Sequence, residues 1–307
     1  MKKAFLYIGF LSFFLMPFLT SCFTGIENTG HISDRTVAKV KANKATAEEQ
    51  FLDSLRQHPF SEWRQGKRFC VSSNDIRLVL RPAADSLKGR VLTFAGTEIQ
   101  RDIDNTDEVV LLFKDGTNTY RYESGKSMAD LKTLRADYVV PFLTDCDYVE
   151  AVDSLLRGRR LYLRTSLWRK PNGEIEEEGL RYVPVTVTSV TPGDAVYPFY
   201  VTFDYEGRKS GLFMSSPTSS VKNMTFDKLF SFKNIRNSHK QISDEVWDKI
   251  VRGQVAAGMT KEECTLSLGS PRSVDNVPTH AGLVERWVYD NGVYLVFSDG
   301  ILERYRK

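Results

Sequence analysis

The chain has 307 residues, 41% hydrophobic and 26% charged, with 42 Lys and Arg against 39 Asp and Glu. That length predicts two or three domains. The near-balance of charge, closer still without Lys2 and Lys3, excludes an electrostatic footprint for nucleic acid, although a pI near 8.5 taken alone suggests one.

The first segment reads as a leader. Lys2 and Lys3 make a basic start, Ala4 to Phe18 an apolar run, and Leu19-Thr20-Ser21-Cys22 a small-residue ending. This is the order of parts in a secretory signal. The ending resembles the lipobox of bacterial lipoprotein precursors, in which a diacylglyceryl group joins the cysteine thiol and the bond before it is cut. Residues 1–21 are therefore expected to be a signal peptide and Cys22 a lipidated membrane anchor. An uncleaved transmembrane helix is the competing reading. It fits less well, because the run is shorter than the roughly 20 residues that span hydrocarbon and Pro17 sits in its last turn.

Residues 22–44 are polar and read as a lipidated tether, with a reach of roughly 25–30 Å as a flexible coil. Residues 45–142 read as a short helix followed by a β domain. Phe51, Leu52 and Leu55 share one helical face. The period then changes to two, and strands are expected at 69–71, 77–80, 90–94 and 109–113, with Asp115-Gly116 as a hairpin turn. Residues 143–232 echo this pattern. Asp53-Ser54-Leu55 returns as Asp153-Ser154-Leu155 in a helix expected at 147–156, Gly66-Lys67-Arg68-Phe69 returns as Gly158-Arg159-Arg160-Leu161, and the run 109–116 returns as 200–207. A weaker echo links Ser127-Met128-Ala129-Asp130 to 223–227. Two copies of one helix-plus-β unit are expected, built as small antiparallel barrels or sandwiches, SH3-like barrels among them.

Residues 233–242 are polar and basic and read as a linker. In 243–307, Ser243 can cap a helix carrying Val246, Trp247, Ile250 and Val251 on one side. Thr260 and Glu263 form a capping box for a second helix, which Gly269 and Pro271 end. Three strands follow at 284–290, 293–298 and 301–306, with Asn291-Gly292 and Asp299-Gly300 between them as two-residue type I′ turns. Counting outward from those turns sets Tyr289 opposite Tyr294, Trp287 opposite Val296 and Tyr294 opposite Tyr305. One face then carries Trp287, Tyr289, Tyr294, Val296 and Tyr305. The other carries Val288, Leu295, Phe297 and Leu302, flanked by Arg286 and Arg304. Trp287, Tyr289, Tyr294 and Tyr305 are the candidate partner-binding residues, since tyrosine and tryptophan give large contact area with a polar tip. The same aromatic face could equally be the core.

The blocks Gly258-Met259-Thr260, Leu268-Gly269-Ser270-Pro271, Trp287-Val288-Tyr289 and Leu295-Val296-Phe297 resemble the SmpA/OmlA family of outer-membrane assembly lipoproteins. The resemblance covers about the last fifth of the chain. It implies two helices on a three-stranded antiparallel sheet, a fold shared with β-lactamase inhibitory proteins, and a partner among envelope proteins. The short hairpin at Asn291-Gly292, Cys264 in an aliphatic position and the two preceding β units depart from the family pattern.

Signals for chemistry are weak. His31, His58, His239 and His280 read as solvated loop residues in no metal spacing. The run Glu123 to Ser127 lacks the upstream glycine of a phosphate loop, Asp102 to Glu108 lacks the turn glycine of a calcium loop, and 174–178 reads as a charged connection. Cys70, Cys146 and Cys264 allow at most one disulfide, whose pair spacing cannot choose, and free buried thiols remain an alternative. No catalytic residue, cofactor, metal or small-molecule ligand is expected.

The fold class expected is mainly β with an α+β C-terminal domain. The function expected is a non-catalytic structural or protein-interaction lipoprotein of the cell envelope, anchored at the outer membrane facing the periplasm and serving its assembly or maintenance; display at the cell surface stays open. A dedicated binder or enzyme inhibitor is the alternative. A cell-wall or glycan hydrolase is the second alternative, which a deep cleft holding two carboxylates would mark. The anchor is directly testable: Cys22→Ala should abolish labelling by radioactive palmitate, and a variant that still labels and sediments with membranes would refute the lipobox reading.

Overall fold

Alternating apolar residues build a first sheet around Phe69, Leu92, Leu111 and Phe113. The computed structural model describes residues 50–306 apart from 52, 53, 56, 85, 102–105, 135–137, 171, 172, 176–178, 218, 220–223, 280, 281 and 291. Cys22, the tether, His31 and His280 lie outside the described residues. The elements of the first sheet are β1 (Arg68–Val71), β2 (Leu80–Arg81), β3 (Val91–Arg101), β4 (Asp107–Asp115), β5 (Asn118–Glu123), helix α1 (Met128–Thr133) and β6 (Leu143–Asp145). The antiparallel order is β2-β5-β4-β3-β1-β6. The sheet curls over Phe60, Trp63, Leu131 and Tyr138, which close its core. The strand expected at 77–80 is mostly a 3₁₀ turn, Asn74–Leu78, started by the Ser73 hydroxyl accepting from the Asp75 amide. That local bond competes with the strand pattern, and only Leu80 and Arg81 pair, with β5.

A second sheet comes next in the chain: α2 (Cys146–Leu156), β7 (Arg160–Leu163), β8 (Pro184–Pro192), β9 (Phe199–Tyr205), β10 (Arg208–Met214), α3 (Phe226–Leu229) and β11 (Phe230–Ser231). Its order, β10-β9-β8-β7-β11, repeats β5-β4-β3-β1-β6. The agreement extends to defects in the ladder. A bulge interrupts β3–β4 between Phe94 and Gly96, and another interrupts β8–β9 between Val187 and Ser189. Gly66 and Gly158, both at positive φ, donate their amides to the Phe94 and Val187 carbonyls at 2.8 Å each. The isolated bridge between Arg169 and Gly211 stands where β2 pairs with β5. Register corrects one echo by a residue: Phe94 pairs with Phe113 and Val187 with Phe203, so Phe113, not Leu112, matches Phe203.

The helix expected to open the first unit packs elsewhere. Phe51 and Leu55 are buried in the core of the second sheet, among Tyr148, Val149 and Phe226. Phe51 lies 4.8 Å from the Phe226 ring, and the Leu55 carbonyl accepts from the Tyr148 hydroxyl.

Two adjacent residues join the sheets. Asp145 ends β6 and caps α2, accepting at Oδ1 from the amides of Asp147 and Tyr148 at 3.0 and 3.1 Å. Its Oδ2 lies 2.6 Å from Lys67 Nζ and accepts from Gln57 Nε2 at 3.3 Å. Next to it, Cys146 is disulfide-bonded to Cys70 in β1. Cys264 is free and buried.

The stretch expected as a linker is structured. It forms a 3₁₀ turn, Ile235–Ser238, and Arg236 donates to the carbonyls of His239 and Ile242 at 2.7 Å each. Ile242 is buried in the C-terminal core. That core lies under α4 (Asp244–Val251) and α5 (Lys261–Leu268), with the expected Ser243 cap and Thr260/Glu263 capping box both formed. The sheet gains a strand that the sequence did not show: β12 (Ser273–Thr279) pairs with β13 (Gly282–Val288), then β14 (Tyr294–Ser298) and β15 (Ile301–Arg306). Its polar composition and Pro278 hide it, and both suit an edge strand. The C-terminal core also leans on the second unit. Tyr182 packs 5.5 Å from Trp247, and its hydroxyl donates to the Leu266 carbonyl at 2.9 Å.

The disulfide closes a loop with a sequence separation of 76 residues. Cys146→Ser should therefore lower stability by roughly 2–4 kcal/mol, read as a lower urea midpoint. Unfolding the wild type in reductant should bring its midpoint to that of the variant.

Candidate functional site

Hairpin geometry decides which C-terminal side chains face outward. Asp299 and Gly300 both take positive φ, at 47° and 86°, and form the expected two-residue turn between Ser298 and Ile301. The other hairpin differs. The Tyr289 amide donates to the Val293 carbonyl at 2.9 Å, so three residues, Asp290 to Gly292, make the loop. Gly292, at φ 80°, supplies the left-handed position that closes such a loop. Register therefore shifts by one: Val288 pairs with Tyr294, and Trp287 with Leu295. A one-residue slip moves every side chain to the opposite face.

The expected aromatic face is accordingly divided. Trp287 is 8% exposed and joins Leu295, Phe297 and Leu302 in the core, 4.6 Å from the Phe297 ring. Tyr289 packs at the margin of that core, and its hydroxyl donates to the Gly269 carbonyl at 3.2 Å. Burial pushes this hydroxyl up to about 12. Glu285 also lies on the helix side, where the Lys261 ammonium bonds it and Trp287 Nε1 donates to it at 3.3 Å. The bond from Lys261 holds the carboxyl below the usual range. Tyr294 and Tyr305 remain outside, 36% and 44% exposed. Tyr305 pairs with Leu295 on the edge strand, so it does not share a face with Tyr294.

A bulge then recruits the arginines. Phe297 pairs with Leu302 but Val296 with Arg304, which leaves Glu303 as the extra residue. Such a bulge re-aims the side chains beyond it, and Arg304 turns away from the helix side on which Leu302 lies. The bare face carries Arg286, Val288, Tyr294, Val296 and Arg304 around a shallow depression of about 440 Å³. Arg306, opposite Tyr294, extends it. Arg286 is tied to Asp275 at 2.8 Å. Among the described residues, neither Arg304 nor Arg306 has a carboxylate partner. The face exposes Tyr294 above a half-buried Val288 and a buried Val296 and is cationic at its rim, which suits contact with a partner surface bearing carboxylates.

Other candidate chemistry falls elsewhere. A cleft between the two β units holds two carboxylates, Asp145 and Asp194. Asp145 is committed to Lys67 and the cap of α2, and Asp194 Oδ1 accepts from the amides of Val196 and Tyr197 at 2.8 Å each. His58 is exposed beside Glu62, whereas His239, expected to be solvated, stacks on Trp247 and lies 3.0 Å from Glu262. Among the described residues no group of His, Cys, Asp and Glu is placed to hold a metal, and no helix is long and apolar enough to cross a membrane.

Comparison with family models, curated proteins and solved structures finds no match. The assignment of the face therefore stands on its geometry.

The two faces make opposite predictions. Trp287→Ala should cost roughly 3–5 kcal/mol, as for a buried aromatic, whereas Tyr294→Ala should stay within about 0.5 kcal/mol of wild type. Urea melts of the full chain measure both. Equal losses would place the tyrosine in the core as well.

Proposed function

We propose that the chain is a non-catalytic interaction protein of the cell envelope, anchored by lipid on Cys22, that docks an acidic protein surface through its C-terminal sheet. The single observation that carries this reading is the bare face: Tyr294, Val288 and Val296 beside Arg304 and Arg306, which have no carboxylate partner among the described residues. Tyr294 is exposed on this face beside the arginines, and arginine and tyrosine are residue types enriched in protein contacts. The C-terminal blocks that resemble the SmpA/OmlA family point to outer-membrane assembly or maintenance as its setting. The two β units, whose shared strand order and bulges favour duplication, would serve as a spacer or a second contact.

The test uses the full chain, recovered from detergent-solubilised envelopes with its partners. Co-purification of an assembly complex that is lost in Arg304→Glu and Tyr294→Ala, with unchanged melting temperature, supports the reading. Loss of capture should be stronger for the charge reversal and should be mimicked by raised salt. Capture of a single secreted enzyme would favour the inhibitor alternative, and partners unaffected by either variant would overturn the role of this face.

A further inference from the structure

The cleft between the β units has a wall of unusual kind. Leu143, Thr144 and Asp145 are consecutive in β6, and all three line it, with Phe142 just ahead of the strand. Successive strand side chains point to opposite faces, so three strand residues in a row line one cleft only when the edge of the strand forms the wall. β6 is indeed the outermost strand of its sheet. Across from it stand Val196 and Pro198, and the space between is about 490 Å³, within the range of roughly 300–1,000 Å³ typical of ligand sites. Val139 and Val196, at the mouth, are 64% and 55% exposed.

Ladder phase fixes what the edge offers. The Ser72 amide donates to the Phe142 carbonyl at 2.9 Å. Because antiparallel pairs alternate, Thr144 exchanges bonds with Cys70, and Leu143 and Asp145 turn their backbone groups away from β1. The Leu143 amide is used by the Val140 carbonyl at 3.0 Å, and the Asp145 carbonyl accepts within α2 as an N-cap carbonyl does. Among the described residues, that leaves the Leu143 carbonyl and the Asp145 amide without a backbone partner, on either side of Thr144. A strand added in either direction can use both: a parallel one through the amide and carbonyl of a single residue, an antiparallel one through the amide of one residue and the carbonyl of the residue two before it.

We propose that this cleft binds an extended, non-acidic polypeptide segment of a partner, added as a strand to the free edge of β6. The occupant is polypeptide because the edge presents one acceptor and one donor at strand spacing, which an acyl chain cannot use. It is non-acidic because the lining contains no Lys, Arg or His among the described residues, and the one ammonium nearby, Lys67, is taken by Asp145. Apolar side chains of the segment meet Val139 and Leu143 on one side and Val196 and Pro198 on the other. The Cys70–Cys146 disulfide and the Asp145 cap hold the C-terminal end of β6, and the bond from the Ser72 amide to the Phe142 carbonyl holds the other, so the edge is set before binding. This site is separate from the C-terminal face.

Short linear peptides displayed on phage, panned against the full chain in detergent, test the proposal. Selected sequences should alternate apolar residues and lack Asp and Glu. For a synthetic peptide so selected, Val139→Lys and Val196→Asp should each weaken binding by about tenfold without moving the melting temperature, because both side chains are exposed. An N-methyl scan should find one backbone position that loses about tenfold, the loss of a backbone hydrogen bond and the clash of the added methyl. Amide exchange at Asp145 should slow on binding, and Arg304→Glu should change nothing. Peptides indifferent to both cleft variants, or to N-methylation throughout, would overturn the proposal. So would binding of a fluorescent fatty acid that the same variants abolish while no peptide is selected.

Discussion

One buried carboxylate organises the middle of the molecule. Asp145 closes the first sheet, starts the helix that covers the second, and neutralises Lys67 between them. Taking both charges out of water costs several kcal/mol per ion, and the pair is tolerable because every contact is filled: two amides at one oxygen, an ammonium and a side-chain amide at the other. Removing one partner would leave the other charge buried alone. The neighbouring disulfide adds a covalent bond at the same place. The relation of the two sheets, the position of β6 and the shape of the cleft all depend on this junction.

The repetition of the two sheets was legible in the echoes at Gly66 and Gly158, because a glycine at positive φ is dictated by the backbone and survives in the sequence. It was less legible in the strands. Val109 to Gly116 matches 200–207 by eye, yet pairing sets Phe113 level with Phe203. The turns explain the difference. In the first hairpin Gly116 alone has positive φ, at the first turn position, whereas Glu206 and Gly207 share it in the second. Glycine marks a turn without saying which of its places it fills.

The C-terminal sheet shows the same limit with a larger effect. Asp299-Gly300 behaves as a two-residue turn, but Asn291-Gly292 belongs to a loop of three, because its glycine closes the loop instead of centring it. That single residue sends Trp287 inward and leaves Tyr294 outside. The bulge at Glu303 then exposes Arg304, and nothing local in Ile301 to Arg306 announces it. Caps, by contrast, were read correctly at Ser243 and at Thr260 with Glu263, since each depends on residues within one turn. Contacts between distant segments, such as Phe51 on Phe226 or Tyr182 on Trp247, have no such local signature.

The placement of Phe51 and Leu55 has a mechanical consequence. These residues belong to the second core, the chain then leaves to build the first sheet, and it returns to the second core at α2. The first sheet is thus an insertion, with the disulfide at its base. Tension applied to the chain ahead of Phe51 enters the second unit directly, in shear between that segment and the ring of Phe226 and the hydroxyl of Tyr148. The inserted sheet takes no part in those contacts.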